Sequence, residues 1–284
     1  MKIALFGNKG YLGSQLEYAL GHASVSIDGF DRPDCNVIDE SFWKSCAPAD
    51  YDAVLFFVGL TGTEQSFTCA DRFLSVNELG LIRLLTCLAP LGKDAPKVIF
   101  PSSRLVYRGS EQLLLEDAPK EAKTVYAASK LACEYYLQAY HERYGIPYSV
   151  VRICVPYGNL VSGHYSYGTI GFFLKQAEQG GLINLYGDGT QRRTFTHVRD
   201  VCAAVMHLMR NDANGIFNVG GGNYSLVEVA RLIAQKRGVN VAFVLWPEVA
   251  QRLESGSTCF DSTKLDKLVG MGPYHDIHDM ITEL

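Results

Sequence analysis

The chain is 284 residues long, 48% hydrophobic and 20% charged, with a formal net charge of −4; it can hold one large domain or two modest ones, in the balance usual for a globular enzyme. The small negative charge excludes an electrostatic case for nucleic acid or an anionic membrane as partner. Eight cysteines with no Cys-x-x-Cys pair exclude a disulfide frame and a zinc site, and read as reduced thiols used as small core residues.

In chain order, Lys2 to Phe6 is a short apolar run that reads as a buried strand. Gly7-Asn8-Lys9-Gly10-Tyr11-Leu12-Gly13 follows at once, and a helical pattern runs from Leu12 to Leu20. Strand, glycine turn and helix together suit a pyrophosphate, because glycines let backbone N–H groups approach it at the helix N-terminus. A second strand, Ser24 to Phe30, ends at Asp31, 18 residues past Gly13. A carboxylate there suits the adenosine ribose of NAD. The adjacent Arg32 suits the 2′-phosphate of NADP, so both cofactors stay open.

Asp52 to Val58 reads as a strand buried on both faces, ending in Gly59. Its apolar core, Ala53 to Leu60, is the longest apolar run and is too short to span a bilayer. Asn8 and Lys9 interrupt the N-terminus before a signal-like stretch develops, so a cytoplasmic protein is expected. Residues 66–91 read as one long helix containing Asn77. Lys97 to Phe100 is a further strand, and it delivers Pro101-Ser102-Ser103 at its carboxyl end, where ligands of open α/β sheets bind. A serine hydroxyl there can both donate to and accept from a substrate oxygen.

Tyr126 and Lys130 lie four residues apart, one turn along a helix face. A free phenol ionises near pH ~10 and is a poor base at neutrality. An ammonium beside it favours the phenolate, so Tyr126 could take a proton from a sugar or alcohol hydroxyl or return one to a ketone. The strand Ser149 to Ile153 follows. From Pro156 the strand–helix alternation becomes irregular, as in a smaller lobe. Two adjacent arginines, Arg192 and Arg193, follow the turn Gly187-Asp188-Gly189-Thr190 and suit a diphosphate. Ser225 with Glu228 forms a capping box that opens a helix to Lys236. His275 and His278 have no third ligand nearby in sequence and read as surface.

The series Gly7-x-x-Gly10-x-x-Gly13, Asp31, Val58-Gly59, Asn77, Ser102-Ser103-x-x-Val106-Tyr107 and Tyr126-x-x-x-Lys130 resembles the extended short-chain dehydrogenase/reductases, in the NAD-dependent epimerase/dehydratase branch that acts on nucleotide sugars. The resemblance covers essentially the whole chain. It implies an α/β fold, a Rossmann-like parallel sheet (residues 1–160) with a smaller C-terminal substrate-binding lobe (residues 161–284) interleaved with it. It implies Tyr126 as acid/base, Lys130 as its electrostatic partner and ribose ligand, and Ser103 as the hydroxyl that orients the substrate oxygen. NAD or NADP would lie on Gly7, Gly10, Tyr11, Leu12 and Gly13, with Asp31 and Arg32 at the ribose. Asn36 and Val37 would sit by the adenine, and Val58, Gly59 and Asn77 would line the dinucleotide. Arg104, Arg193 and Arg252 would contact a nucleoside-diphosphate sugar, and pairing through the Tyr126 helix would give a homodimer.

Departures narrow the expectation. Arg104 and Leu105 follow Ser103 where small residues or Thr are usual. No acidic pair of the kind the 4,6-dehydratases use follows Ser103, which argues against a dehydratase. Val155 replaces a substrate-contacting Asn, and Thr194 an Asp. Oxidoreduction at carbon 4 of a nucleotide sugar remains, by a 4-epimerase or a 4-keto-sugar reductase. The rival is a non-catalytic NAD(P)-binding sensor or scaffold, but such proteins usually lose the Tyr or the Lys and this chain keeps both.

Overall fold

The computed structural model describes residues 1–161 and 167–282. Its elements begin with β1 (Lys2–Phe6), α1 (Tyr11–Gly21), β2 (Ser26–Phe30), α2 (Glu40–Cys46) and β3 (Ala53–Phe56). Then come α3 (Thr63–Thr68), α4 (Ala70–Phe73), a π-helical stretch (Leu74–Leu79), α5 (Gly80–Leu88), β4 (Lys97–Ser103), α6 (Val125–Tyr144) and β5 (Tyr148–Ile153). The second half adds β6 (Val155–Tyr157), α7 (Gly168–Gly180), β7 (Leu182–Tyr186), β8 (Arg192–His197), α8 (Val198–Met209) and β9 (Gly215–Asn218). It closes with β10 (Gly222–Ser225), α9 (Leu226–Arg237), β11 (Asn240–Val244), α10 (Glu248–Leu253), α11 (Thr263–Val269) and α12 (Ile277–Thr282).

Two compact units result. The first is Met1–Val106, Ala122–Arg152 and Cys202–Phe217; the second is Tyr107–Glu121, Ile153–Val201 and Asn218–Leu284. Each is assembled from separate stretches of chain: the main crossing falls at Arg152, and Tyr107–Glu121 and Cys202–Phe217 are the exchanged pieces.

In the first unit six strands lie in the order β2-β1-β3-β4-β5-β9. The pairs β1–β2, β1–β3 and β3–β4 are parallel. Strand order reverses between β1 and β3, the kind of switch point that opens a crevice at the carboxyl ends of strands. Ile3–Phe6 of β1, all of β3 and Val98–Phe100 of β4 are unbroken, buried apolar runs because both sheet faces are covered. Phe6 sits at the centre of an aromatic cluster, stacked on Phe30 at 4.7 Å and tilted against Trp43 at 5.1 Å and Phe56 at 6.0 Å. The Trp43 indole N–H is satisfied by the Val37 carbonyl at 2.8 Å.

The sequence suggests one continuous helix over 66–91, and here the structure differs. The backbone leaves helical geometry at Cys69 (φ −132°, ψ 42°) and widens into the π-turn at Leu74–Leu79. Among the described residues, Ala70–Asp94 is the one stretch long and apolar enough to cross a membrane. Its Phe73, Leu81, Leu84, Leu85 and Leu88 are fully buried in the first unit, so core packing accounts for that composition.

In the second unit β10, β8 and β6 form one sheet, and β11 pairs with β7 in parallel. α9 opens on the capping box expected from sequence: the Ser225 hydroxyl accepts from the Glu228 N–H, and the Glu228 carboxylate accepts from the Ser225 N–H. All eight cysteines are free thiols and five are buried.

Phe6→Ala should cost ~3–5 kcal/mol of unfolding free energy, measured by urea denaturation. A loss under about 1 kcal/mol would show that the aromatic cluster does not hold the sheet.

Candidate active site

The glycine turn is built by close approach. Gly7 has φ 85°, and a Cβ on it would stand 2.7 Å from the Phe57 carbonyl oxygen. A Cβ on Gly13 would stand 2.0 Å from the Gly7 oxygen. The turn closes through Gly10 N–H to the Gly7 carbonyl at 3.1 Å, and α1 begins directly after Gly10. Backbone donors of the first turn of α1 therefore face the crevice with the positive end of the helix dipole behind them.

A cleft of about 330 Å³ lies there. It is lined by Gly7, Gly10, Asp31, Arg32, Asn36, Val37, Val58 and Gly59, which the sequence nominated, and by Lys9, Cys35, Phe57, Leu60 and Val76, which it did not. Tyr11, Leu12 and Gly13 form the first turn of α1 beside it. The Asp31 carboxylate accepts from the Lys9 N–H at 2.9 Å and from the Arg32 N–H at 2.7 Å. Each oxygen keeps a further lone pair for a ribose hydroxyl. The Lys9 ammonium donates to the Arg32 carbonyl at 3.1 Å, and Lys9 and Arg32 both line the cleft with Asp31. Asn77 does not face the cleft. Its side chain accepts from the Leu60 N–H at 2.7 Å, and donates to the Leu60 carbonyl at 3.1 Å and to Ser129 at 3.3 Å. It clamps the strand-end loop after Gly59, and the π-turn is what aims it there. The donor set and the glycine cradle fit a nicotinamide dinucleotide.

Ser102 and Ser103 end β4, and Tyr126 and Lys130 lie on the first two turns of α6. Thr124 caps that helix, accepting from the Ala127 N–H at 3.0 Å. Lys130 is 4% exposed. Its ammonium donates to the Pro101 carbonyl at 2.9 Å, lies over the Phe100 ring at 4.5 Å, and is 6.0 Å from the Tyr126 ring centre. Burial pushes the Lys130 pKa down to about 8, with Cys133 and Glu134 opposing. It stays mainly charged at pH 7, where a cation near the phenol favours the phenolate. The two serines separate by their partners. The Ser102 hydroxyl donates to Glu134 at 2.5 Å, so its proton is committed, whereas the Ser103 oxygen accepts from the Leu105 N–H at 3.2 Å and keeps its own proton to give.

Arg104 opens the short 3₁₀ turn after Ser103 and is half-buried. The other two arginines expected at the substrate, Arg193 and Arg252, belong to the second unit. Arg193 is 2% exposed; its guanidinium holds Glu254 at 2.5 Å and donates to the Arg192 carbonyl at 2.9 Å and to the Gly256 carbonyl. The expected diphosphate ligand is thus engaged within its own unit. Arg192 beside it is exposed, on Glu228 at 3.4 Å. Arg252 is 67% exposed and pairs with Glu248 at 3.7 Å. His275, expected at the surface, is 41% exposed and is tied to Asp200 at 2.7 Å. Glu134 and Arg152, which the sequence reading passed over, are 2% and 1% exposed and pair at 2.5 Å. The available signal was the Lys130-x-x-x-Glu134 spacing, which extends the Tyr126–Lys130 face by one turn.

Gly13→Ala should weaken dinucleotide binding at least about tenfold, roughly 1.4 kcal/mol, in a fluorescence titration; unchanged affinity would remove the turn from the cofactor site. Lys130 carries a sign that can be worked out. Its folded pKa of about 8 lies below the ordinary 10.5, so its charge costs stability. The cost is full below about pH 8 and is relieved as pH rises toward 10.5. Lys130→Met should therefore raise the melting temperature at pH 7, with a smaller gain at pH 10, while ending turnover. A lower melting temperature at pH 7 would contradict this.

Comparison with known proteins agrees with these features. The model of the NAD dependent epimerase/dehydratase family matches residues 3–220. A dTDP-D-glucose 4,6-dehydratase of Mus musculus is 32% identical over 187 residues, 65% of this chain and 51% of the relative. This chain therefore spans about half the length of that relative. A dTDP-L-rhamnose 4-epimerase of Burkholderia thailandensis is 29% identical over 251 residues, 73% of this chain and 69% of the relative. The solved UDP-glucose 4-epimerase of Thermus thermophilus, in complex with NAD, superposes with a TM-score of 0.82 at 21% identity, over 99% of this chain and 98% of that one. At that identity it speaks for the fold alone. The family model spans the glycine turn, the two serines, Tyr126 and Lys130 together, and the chain belongs to the NAD dependent epimerase/dehydratase family.

Proposed function

We propose that the protein is a 4-epimerase of a nucleoside-diphosphate sugar. The observation that carries this reading is the turn after Ser103. It is Arg104-Leu105-Val106 and offers no carboxylate. Elimination of water from a sugar needs an acid and a base beyond the group that serves carbon 4. This site supplies one acid/base phenol, one buried ammonium and one hydroxyl with a proton to give, which suits proton traffic at a single oxygen.

The steps follow from the side chains. Tyr126, as phenolate beside Lys130, takes the proton from the 4-hydroxyl. Ser103 donates to the same oxygen and holds it as its bond order rises. A nicotinamide dinucleotide held on the glycine turn and Asp31 would supply reversible hydride transfer at carbon 4. Tyr126 then returns its proton to the oxygen of the inverted sugar. The Pro101 carbonyl keeps the lysine ammonium in place throughout, so no charge has to be reorganised during the reaction.

The activities of two relatives, dTDP-L-rhamnose 4-epimerase and dTDP-D-glucose 4,6-dehydratase, bracket the choice. Arg104 and Leu105 after Ser103, in place of any acidic pair, support the first. A 4-keto-sugar reductase uses the same Tyr126, Lys130 and Ser103, and Arg32 with Lys9 beside Asp31 suits the 2′-phosphate of the NADPH it would consume. Arg193 is our candidate for the substrate diphosphate in the second unit, with Glu254 as the carboxylate it must exchange. Arg252 and Arg104 are further candidates, and a homodimer in the cytoplasm completes the reading.

The test is a panel of UDP-, dTDP-, CDP- and GDP-sugars carrying deuterium at carbon 4, incubated with the protein and NAD and followed by NMR. A 4-epimer that keeps its deuterium is expected. A 4-keto-6-deoxy product would establish a dehydratase, and turnover only with 4-keto sugars and NADPH a reductase. Tyr126→Phe should lower turnover roughly 10²–10⁴-fold with NAD affinity nearly unchanged; wild-type turnover in that variant would remove Tyr126 from the chemistry.

A further inference from the structure

We propose that Glu134 is a positioning residue for this site: through Ser102 it fixes the end of β4 that presents both Ser103 and the carbonyl anchoring Lys130. The inference rests on the function proposed above. It stands on a closed set of short contacts within the first unit. Glu134 follows Lys130 by four residues on α6, so the two side chains leave the same face on successive turns. Lys130 reaches the Pro101 carbonyl at 2.9 Å, and Glu134 reaches the Ser102 hydroxyl at 2.5 Å. Two neighbouring residues of one strand are thus held by two successive turns of one helix. Ser103 is the next residue, so its position relative to that helix follows from this double attachment.

The carboxylate is 2% exposed, and a lone charge buried that deeply would be strongly disfavoured. Arg152 of β5 resolves this by a two-pronged pair, Nε to Oε1 at 2.9 Å and Nη2 to Oε2 at 2.5 Å. Such a pair is weak evidence for stability, because desolvation offsets its attraction. A hydrophobic filler would serve a core equally well. What a filler would not do is accept from Ser102, and a positioning role accounts for that contact. Glu134 also bears on Lys130 electrostatically. The groups acting on that ammonium are Cys133 and Glu134 from its own helix, which support its charge against burial, with Tyr126 on the same helix, the Pro101 carbonyl and Phe100 ring from β4, and Arg152 and Glu78 one step removed.

Ser102→Ala cuts the link to β4 and leaves the ion pair intact. Steady-state kinetics on the member of the UDP-, dTDP-, CDP- and GDP-sugar panel that the wild-type protein turns over should show kcat down roughly 10- to 100-fold with KM within about twofold. Ser102→Thr, which keeps the hydroxyl, should restore most of it. Wild-type kcat in folded Ser102→Ala, with only the melting temperature lowered, would overturn the proposal. A second measurement needs no substrate. In 13C-lysine-labelled protein the Lys130 signal, assigned by its loss in Lys130→Met, should titrate near pH 8. It should titrate at clearly lower pH in the double variant Glu134→Gln, Arg152→Met, which removes both buried charges together. An unchanged midpoint would overturn the electrostatic part. If the wild-type protein turned over no nucleotide sugar, the proposed function would fall while the titration still decided on Glu134.

Discussion

The site depends on one ammonium kept charged out of water. Lys130 is almost fully buried, and burial opposes its charge. The protein holds it with a carbonyl, an aromatic face and a carboxylate one turn away. Each of these belongs to β4 or α6. Helix spacing sets the Tyr126 ring 6.0 Å from the ammonium, and the meeting of one strand end with that helix fixes where the ammonium sits. The arrangement costs stability at neutral pH and, in the proposed reaction, gives a preorganised positive charge where negative charge develops.

The cofactor cleft is a separate consequence of strand order. Reversal between β1 and β3 opens a crevice at their carboxyl ends, and the glycine turn closes its floor. Gly7 and Gly13 are glycines because the backbone of Phe57 and of Gly7 itself occupies the space a side chain would need. Asp31 belongs to the same geometry. By accepting from the Lys9 and Arg32 amides it ties the end of β2 to the turn after β1, and that bracing is needed whichever dinucleotide binds.

What could be read from sequence was whatever depends on near neighbours. The apolar strands, the glycine turn, the Ser225 capping box and the Tyr126–Lys130 face all follow from spacing within a few residues, and the structure shows each of them. The unread parts depend on distant partners. The helix over 66–91 breaks at Cys69 and widens around Asn77, whose side chain is bonded to Leu60, 17 residues back. Which of two adjacent serines keeps its proton is decided by Glu134, 32 residues beyond Ser102. Arg193 looked available because Glu254 is 61 residues away. No local signal marks Tyr107–Glu121 as part of the second unit.

In the proposed function the division of the chain also separates the chemistry from the choice of substrate. Every residue assigned to proton transfer or to the dinucleotide lies in the first unit, and Arg193 and Arg252 lie in the second. An interaction made equally in ground and transition states changes binding without changing the chemical step. The second unit can then vary in sequence to suit different nucleotides while the Lys130 site stays as it is. The departures at Val155 and Thr194 both fall in that second unit. In the proposed function they are where this chain's own sugar would be encoded, whereas Arg104 and Leu105, in the first, would bear on which reaction follows oxidation at carbon 4.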